Sequence, residues 1–258
     1  MQEGGASRLE WLDQVDSTNE EAMRRARSGD PGGLWIAARQ QTSGRGRQGR
    51  SWISPPGNLA ASLLLIDPSQ PRDAPQLSFV AGVALASAIA DLMPGQPAPR
   101  LKWPNDLVFE GAKLSGLLLE ASQLADGRFA CVIGFGVNVI AHPSDLAYPT
   151  TDLRELGCRT TARDLLNKLR AAVALWLHRW QGGTDFEVVR SAWLARAAGL
   201  GQDIRVVAGT RVLEGIFRTV DATGQLILDT QAGTETVAAG DVFLVRGSDN
   251  KAAGQGIR

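Results

Sequence analysis

A seven-residue loop, Gly44-Arg45-Gly46-Arg47-Gln48-Gly49-Arg50, carries three arginines among three glycines and is followed closely by Trp52. Glycine lets the backbone approach a ligand. The planar fork of arginine offers paired donors to phosphates and carboxylates. The pattern therefore favours a mobile loop that orders around an anion. A solvated loop without a ligand and an Arg/Gly segment that binds RNA are two other interpretations left open at this point.

Two further stretches carry lysine and acidic or amide side chains. In Lys102-Trp103-Pro104-Asn105-Asp106, the last two residues stand at the mouth of a loop, where Asp106 could hold a magnesium ion or a ribose hydroxyl. An ordinary Asn-Asp turn explains the same residues. Lys113 opens an apolar strand, either as a solvated strand-end charge or as an inward cation for a ligand anion. Gly116 within that strand indicates a bulge or a close backbone approach.

Two more segments have residue types that need an explanation. Gly134 and Gly136 interrupt an apolar strand that runs to Asn138, so either a ligand or a helix lies against it. Asp16-Ser17-Thr18-Asn19 reads as the capped start of a helix. The only histidines, His142 and His178, have no partner that suggests a metal site or a catalytic triad.

The elements that must position these residues indicate an α+β chain. We predict a mixed β-sheet with helices on one face over residues 1–200, a small SH3-like barrel over 201–247 and a disordered polar tail over 248–258. The clearest helix runs from Thr161, its cap, to Trp180. The predicted helices and strands of the first unit are 17–28, 34–38, 58–66, 75–92, 101–103, 113–121, 129–139, 161–180 and 186–198.

Bulk properties exclude some classes of protein. Basic and acidic residues balance at 27 each, so no global field attracts polyanions. Cys131 and Cys158 lack the spacing of a metal or redox pair, and we expect Cys131 to be a small core residue. We find no apolar leader and no apolar run near the length of a membrane span. The expectation is a cytoplasmic protein that binds neither DNA nor membrane.

Taken together and in this order, the five segments resemble those of the biotin protein ligase family. The resemblance covers about residues 9–247 and includes Glu214-Gly215-Ile216 and Gly240-Asp241-Val242 in the expected C-terminal barrel. It implies an enzyme that makes biotinyl-5'-AMP from biotin and ATP and then transfers biotin to a lysine of a biotin carboxyl carrier protein. Some family members also carry a DNA-binding domain. About fifteen residues precede Asp16, and we therefore expect no repressor function.

The resemblance also implies roles for single residues. Arg47 and Lys113 would be catalytic, because they neutralise charge on the carboxylate and the α-phosphate. Magnesium would arrive on the ATP phosphates, with Asp106 as a possible protein ligand. Biotin would contact Ser17, Thr18, Asn19, Gln41, Arg45, Gly46, Arg47, Lys113, Gly116 and Gly134. ATP would contact Arg50, Trp52, Asn105, Asp106 and Asn138.

One position departs from the family pattern, and alternatives stay open. Gln48 stands where the family commonly has another basic residue. A lipoate ligase or octanoyltransferase shares the implied fold, although the arginine loop and the Lys102–Asp106 stretch favour biotin. A nucleic-acid-binding module is the alternative from another class, and the neutral charge argues against it. Monomer and homodimer both remain possible.

Overall fold

A seven-stranded mixed sheet frames the first unit of the chain. The computed structural model describes residues 7–244. The sheet has the strand order β1-β2-β3-β7-β6-β5-β4, in which β1 and β2 are parallel and all other neighbours are antiparallel. Its strands are β1 (Arg8–Val15), β2 (Leu34–Gln41), β3 (Leu59–Ile66), β4 (Arg100–Lys102), β5 (Asp106–Phe109), β6 (Ala112–Gln123) and β7 (Phe129–Val137).

Helices pack on both faces of this sheet, and the expectation of helices on one face was wrong. The helices are α1 (Thr18–Arg27), α2 (Leu77–Leu92), α3 (Ala162–Trp180) and α4 (Phe186–Leu194). Successive strand side chains point to opposite faces, and β2 is apolar on both. Leu34 and Ile36 pack under α1, whereas Trp35 belongs to the large core shared with the other three helices. Helix α1 packs over β3 and β7 because this face of the sheet, which includes Leu34 and Ile36, is also apolar.

The ends of the helices follow the capping residues that the sequence indicated. Ser17 caps α1 by accepting a hydrogen bond from the Glu20 amide, and Thr161 caps α3 by accepting one from Asp164. Helix α3 ends where Gln181 adopts a left-handed conformation. The segment Pro71–Leu92, which includes α2, is long and apolar enough to cross a membrane, contrary to our expectation. In the structure, 67% of its most apolar window is buried, because α2 is the central helix of the core.

The C-terminal unit is a five-stranded antiparallel sheet. Its strands are β8 (Asp203–Ala208), β9 (Arg211–Val220), β10 (Leu226–Thr230), β11 (Gly233–Val237) and β12 (Asp241–Leu244), in the order β11-β10-β9-β8-β12. Among the described residues, the outer strands β11 and β12 are not hydrogen-bonded to each other, so closure into an SH3-like barrel stays a prediction. The disordered tail predicted for 248–258 lies outside the described residues.

The two sheets share one apolar core. Phe217 of β9 lies 6.5 Å from Trp193 of α4, measured between ring centroids. The indole N–H of Trp103 donates to the Gly224 carbonyl at 3.1 Å. The predicted division at residue 200 therefore stays a prediction, although it falls just before β8.

Candidate active site

A cavity of about 80 Å³ lies on the α1 face of the first sheet, over β6 and β7. All the predicted site residues except Asn138 line it: Ser17, Thr18, Asn19, Gln41, Arg45, Gly46, Arg47, Arg50, Trp52, Asn105, Asp106, Lys113, Gly116 and Gly134. The structure thus brings together segments that are separated by more than one hundred positions along the chain. A wider groove of about 1110 Å³ opens beside the cavity, between the two sheets, and shares Arg50, Asp106 and Lys113 with it.

Glycines in β6 and β7 create the floor of the cavity. The two residues before them on the same face, Ala130 and Val132, pack under α1. At the next two positions a β-carbon has no room. It would lie 2.3 Å from Asn19 Oδ1 at Gly134 and 2.4 Å from the Trp52 ring at Gly136. Gly134 therefore makes room for Asn19 of α1, which is the helix explanation, whereas Gly136 makes room for the loop residue Trp52, which neither explanation named.

One end of the cavity is polar and uncharged. The Gln41 side-chain oxygen accepts a hydrogen bond from the Thr18 amide at 2.8 Å, and the Gln41 amide group donates to Ser54 at 3.2 Å. Thr18 and Asn19 are almost fully buried at the start of α1. This end therefore offers hydrogen bonds to a neutral polar group.

The other end is rich in cations that are paired with protein acceptors. Arg45 lies between the two ends, because it pairs with Glu20 at 2.7 Å and with Glu120 at 2.9 Å, and Glu120 also accepts from Asn19 of the uncharged end. Arg50 pairs with Asp241 of the C-terminal sheet at 2.6 Å, and this carboxylate raises the pKa of Arg50. An anion that enters here exchanges these internal partners for its own oxygens.

Arg47 is the most enclosed of the three loop arginines. Its guanidinium donates to Asn105 Oδ1 at 3.0 Å and to the Gly240 carbonyl at 3.3 Å, and burial lowers its pKa. Its nearest carboxylate oxygen is Asp241 Oδ1 at 3.9 Å, so the closest acceptors of this guanidinium are neutral. A ligand anion could therefore take up its charge.

Gln48 occupies the tip of the loop in an unusual backbone conformation. Its φ and ψ angles are 55° and 34°, in the left-handed region that favours glycine. A short turn over Arg47–Gly49 and a hydrogen bond from the Gly46 amide to the Arg50 carbonyl at 2.6 Å fold the loop back on itself. The loop is thus compact, with its arginines directed to different partners.

Lys113 lies where the cavity meets the wider groove. Its ammonium is 2.8 Å from Asp106 Oδ1, 5.8 Å from the centroid of the Trp52 ring and 5.7 Å from that of Tyr148. Of the two orientations open from the sequence, the structure has the inward one. The side chain of Lys113 is 18% exposed.

Asp106 forms ion pairs with two lysines, and these pairs compete with its predicted role as a magnesium ligand. Lys102 approaches its second oxygen at 3.7 Å, and burial lowers the pKa of Lys102. Two ammonium groups already satisfy this carboxylate, so it does not fit as the centre of a protein-held metal site. Within residues 7–244, no group of three acidic, histidine or cysteine side chains could hold a metal ion.

Asn138 does not line the cavity, contrary to the prediction. It is 2% exposed, and its side-chain amide donates to the Thr151 carbonyl at 3.0 Å. Its backbone carbonyl accepts from the Leu153 amide at 3.1 Å. Asn138 therefore ties the end of β7 to the segment 150–153, behind the site rather than in it.

Sequence reasoning missed several residues of the site. Tyr148 and Asp241 line the cavity, while Glu120 and Ser62 bond to residues that line it. A signal existed for Ser62, because it is the one polar residue in the apolar strand Leu59–Ile66. Asp241 was noted only as part of a motif of the C-terminal unit, and no local signal indicated its partner Arg50, which lies 191 positions away.

Comparisons with known proteins agree with this arrangement. The model of the Biotin/lipoate A/B protein ligase family matches residues 11–138, and that of the Biotin protein ligase C terminal domain matches 199–245. A biotin--[acetyl-CoA-carboxylase] ligase of Paracoccus denitrificans is 41% identical over 90% of this chain and 98% of its own length. One from Mycobacterium tuberculosis is 34% identical over 94% of this chain and 91% of its own length.

A solved structure shows the same likeness in three dimensions. The biotin protein ligase from Aquifex aeolicus in complex with biotin and ATP has a TM-score of 0.78 and 28% identity, and it covers 93% of this chain and 99% of its own. The chain therefore belongs to the biotin protein ligase family.

Proposed function

We propose that this chain is an ATP-dependent ligase that joins biotin to AMP and then transfers biotin to a lysine of a biotin carboxyl carrier protein. The observation that carries the proposal is the cavity, in which an uncharged polar end and a cationic end lie a few side chains apart. Biotin has a neutral ureido ring at one end and a carboxylate at the other. The cavity matches both ends and adds cations for the phosphates of ATP.

The first step joins the two substrates. A carboxylate oxygen of biotin bonds to the α-phosphorus of ATP, and the bond from that phosphorus to pyrophosphate breaks. Negative charge grows on phosphate oxygens, and fixed donors stabilise it best inside a closed site. Arg47 and Lys113 are the proposed donors, since both are largely enclosed at the cationic end.

The second step moves biotin to the carrier. The amine of a carrier lysine attacks the acyl carbon of the adenylate, and AMP leaves with the bonding electrons. The wide groove between the sheets opens directly beside Lys113, which supports entry of a lysine side chain from this direction. No enzyme nucleophile takes part, so transfer depends on positioning and on exclusion of water.

Magnesium is proposed to enter as the counter-ion of ATP. This ion dehydrates reluctantly and is usually held by substrate phosphates with one or two carboxylates. Asp106 is paired with Lys102 and Lys113 and would have to release them to serve as such a ligand. We therefore assign the ion to the phosphates of the substrate.

Binding requires a rearrangement around Trp52. The indole lies across Gly116 and Gly136, and a cavity of about 80 Å³ is far below the roughly 300–1,000 Å³ of pockets that hold such ligands. Within the described residues, the buried Trp52 N–H has no hydrogen-bond acceptor. We propose that Trp52 swings off the glycines and against the adenine ring as the loop opens and recloses over the substrates.

A competition experiment tests the proposal against its nearest alternative. Purified protein receives Mg-ATP, an equimolar mixture of biotin and lipoate, and either a biotin carrier domain or a lipoyl domain. Mass spectrometry of the acceptors should show biotin on the lysine of the biotin carrier and no lipoyl product. Lipoylation without biotinylation would contradict the proposal, and so would the absence of any acylated product.

A further inference from the structure

A buried hydroxyl group lies beneath the uncharged end of the cavity. Ser62 is a polar residue of β3 with 0% exposure, on the face of the sheet that α1 covers. Its hydroxyl oxygen is 2.7 Å from the Thr18 hydroxyl and 2.6 Å from Asn19 Oδ1. Both neighbours belong to the end of the cavity that matches the ureido ring. Ser62 lies behind them and does not line the cavity.

The partners of Asn19 determine where the proton of Ser62 points. The Asn19 amide nitrogen is 2.8 Å from Glu120 Oε2 and 3.2 Å from the Leu118 carbonyl. Glu120 is paired with Arg45, and neither of these oxygens can donate. Asn19 must therefore direct its NH₂ group toward them and its oxygen toward Ser62. An amide oxygen only accepts, so Ser62 donates to Asn19.

The direction of the Ser62–Asn19 hydrogen bond determines the direction of the bond between Ser62 and Thr18. A hydroxyl has a single proton, and that of Ser62 is used on Asn19. Two oxygens at 2.7 Å need a proton between them, so Thr18 donates to Ser62. The Gln41 oxygen, which accepts from the Thr18 amide at 2.8 Å, is a weaker competitor for the hydroxyl proton, because it lies 3.1 Å from the Thr18 hydroxyl and Ser62 lies 2.7 Å from it. The Thr18 hydroxyl can therefore only accept a hydrogen bond from a group in the cavity.

We propose that Ser62 is a positioning residue for ligand selection, which makes the Thr18 hydroxyl an acceptor for one ureido N–H of biotin. This inference rests on the proposed function, because it takes biotin as the ligand. Ser62 never touches the ligand. Ser62 accepts the proton of the Thr18 hydroxyl and so keeps it away from the cavity. It also donates to the Asn19 oxygen and so holds that amide in one orientation.

Two analogues of biotin test the inference. In each, one ring N–H is replaced by an ether oxygen, which gives the two cyclic carbamates. Calorimetric titration of the wild-type protein should show that one analogue binds roughly 30-fold or more weakly than biotin, since a site built for a donor rejects a ligand without it. In Ser62→Ala, Thr18 regains a rotatable proton that an ether oxygen can accept. In this variant, the ratio of the affinity for biotin to the affinity for that analogue should fall to about threefold or less.

Matched variants separate this role from a loss of stability. Ser115→Ala removes another fully buried serine hydroxyl, which donates to the Gly136 carbonyl at 2.7 Å. It should keep the wild-type ratio even if it lowers the melting temperature. Ser62→Cys retains a weak donor and should give an intermediate ratio. This variant also serves if Ser62→Ala does not fold.

The possible failures are distinguishable. An unchanged ratio in Ser62→Ala, with tight binding of biotin to the wild type, overturns the role of Ser62 and leaves the proposed function intact. Equal binding of biotin and both analogues by the wild type also overturns that role alone. Failure of the wild type to bind biotin overturns the proposed function and this inference together.

Discussion

Lys113 is the residue on which the proposed chemistry depends most. It lies between two aromatic rings, and its ammonium contacts Asp106 at 2.8 Å. A positioned cation of this kind stabilises the charge that develops on the phosphate during the reaction.

Replacing that cation should slow adenylate formation more than it weakens binding. We expect Lys113→Met to lower the rate of biotinyl-AMP formation roughly 10²–10³-fold, with smaller effects on the affinity for biotin. Stopped single-turnover assays with both substrates saturating measure this rate. Lys168→Met, on the exposed side of α3, is the matched control and should behave as wild type. An unaltered rate in Lys113→Met would remove this residue from the mechanism.

Two glycine substitutions should have different effects on substrate binding. A β-carbon at position 134 meets Asn19, and one at position 136 meets the Trp52 ring. We expect Gly134→Ala to weaken biotin binding by about 1–3 kcal/mol, and Gly136→Ala, which displaces Trp52 only from the position that it leaves on ligand binding, not to weaken ATP binding. Separate titrations of the two substrates measure this, and the same effect of both variants on both substrates would contradict the division of the cavity.

Most single residues of the site could be predicted because the family motifs are local in sequence. Their partners could not. Glu120 and Asp241 meet the loop arginines only through the fold, and nothing near them in the sequence announces an arginine partner. Asn138 was assigned to the nucleotide from the resemblance to the family. The strand ends one residue before it, and its side chain turns to Thr151 instead.

At the scale of elements, the loop of residues 44–52 connects the two sheets. Arg50 reaches Asp241 at 2.6 Å, and Arg47 reaches the neighbouring Gly240 carbonyl. Both side chains of the Arg50–Asp241 pair are partly exposed, at 52% and 29%. Such a pair contributes about 0.2–1 kcal/mol. This is enough to favour the closed position of the loop but too little to prevent it from opening.

Removing that carboxylate should loosen the loop. We expect Asp241→Asn to increase the rate of tryptic cleavage after Arg47 and Arg50 about two- to fivefold, which corresponds to the lost ion pair. Peptide mapping over time measures the rate. The control is Glu235→Gln, which breaks the pair with Arg211 in the same sheet, far from the loop in the strand order. Equal cleavage in all three proteins would show that Asp241 does not hold the loop.

The sequence predicted elements best where side chains make local bonds. The caps at Ser17 and Thr161 are examples, since each bonds to an amide three residues later. Strand β5 (Asp106–Phe109) was missed because it is short and begins within a turn-like Asn-Asp pair. The position of α1 was wrong because its short apolar stripe does not specify which face of the sheet it covers.

At the scale of the whole molecule, one core cluster runs from β2 through α2 to the C-terminal sheet. The two cysteines lie within it. Cys131 is fully buried in β7, as expected, and burial raises the pKa of its thiol to about 12. Cys158 is also buried, which raises its pKa in the same direction.

Thiol labelling should therefore report unfolding of the whole chain. We expect neither cysteine to react with iodoacetamide at neutral to mildly basic pH in the native protein, because both thiols are buried and protonated. Both should become reactive together across a single urea transition that coincides with the loss of circular dichroism. Labelling of Cys158 well before Cys131 would mean that the two parts of the core open independently.

Less of the whole molecule could be predicted from its composition than from its motifs. The balanced charge argued against a polyanion partner, and that expectation stays a prediction. The C-terminal strands were predicted from their turns. Strand pairing beyond adjacent hairpins, such as β12 beside β8, joins distant segments and could not be inferred from local pattern.

The central claim is that this cavity makes biotinyl-AMP before any carrier is present. A single-turnover experiment with ATP labelled at the α-phosphate and stoichiometric protein tests it most directly. With biotin present, the label should appear in an enzyme-bound adenylate, and addition of a biotin carrier domain should convert it to free AMP as biotin appears on the carrier lysine. No label in an adenylate, or label that forms equally without biotin, would contradict the account.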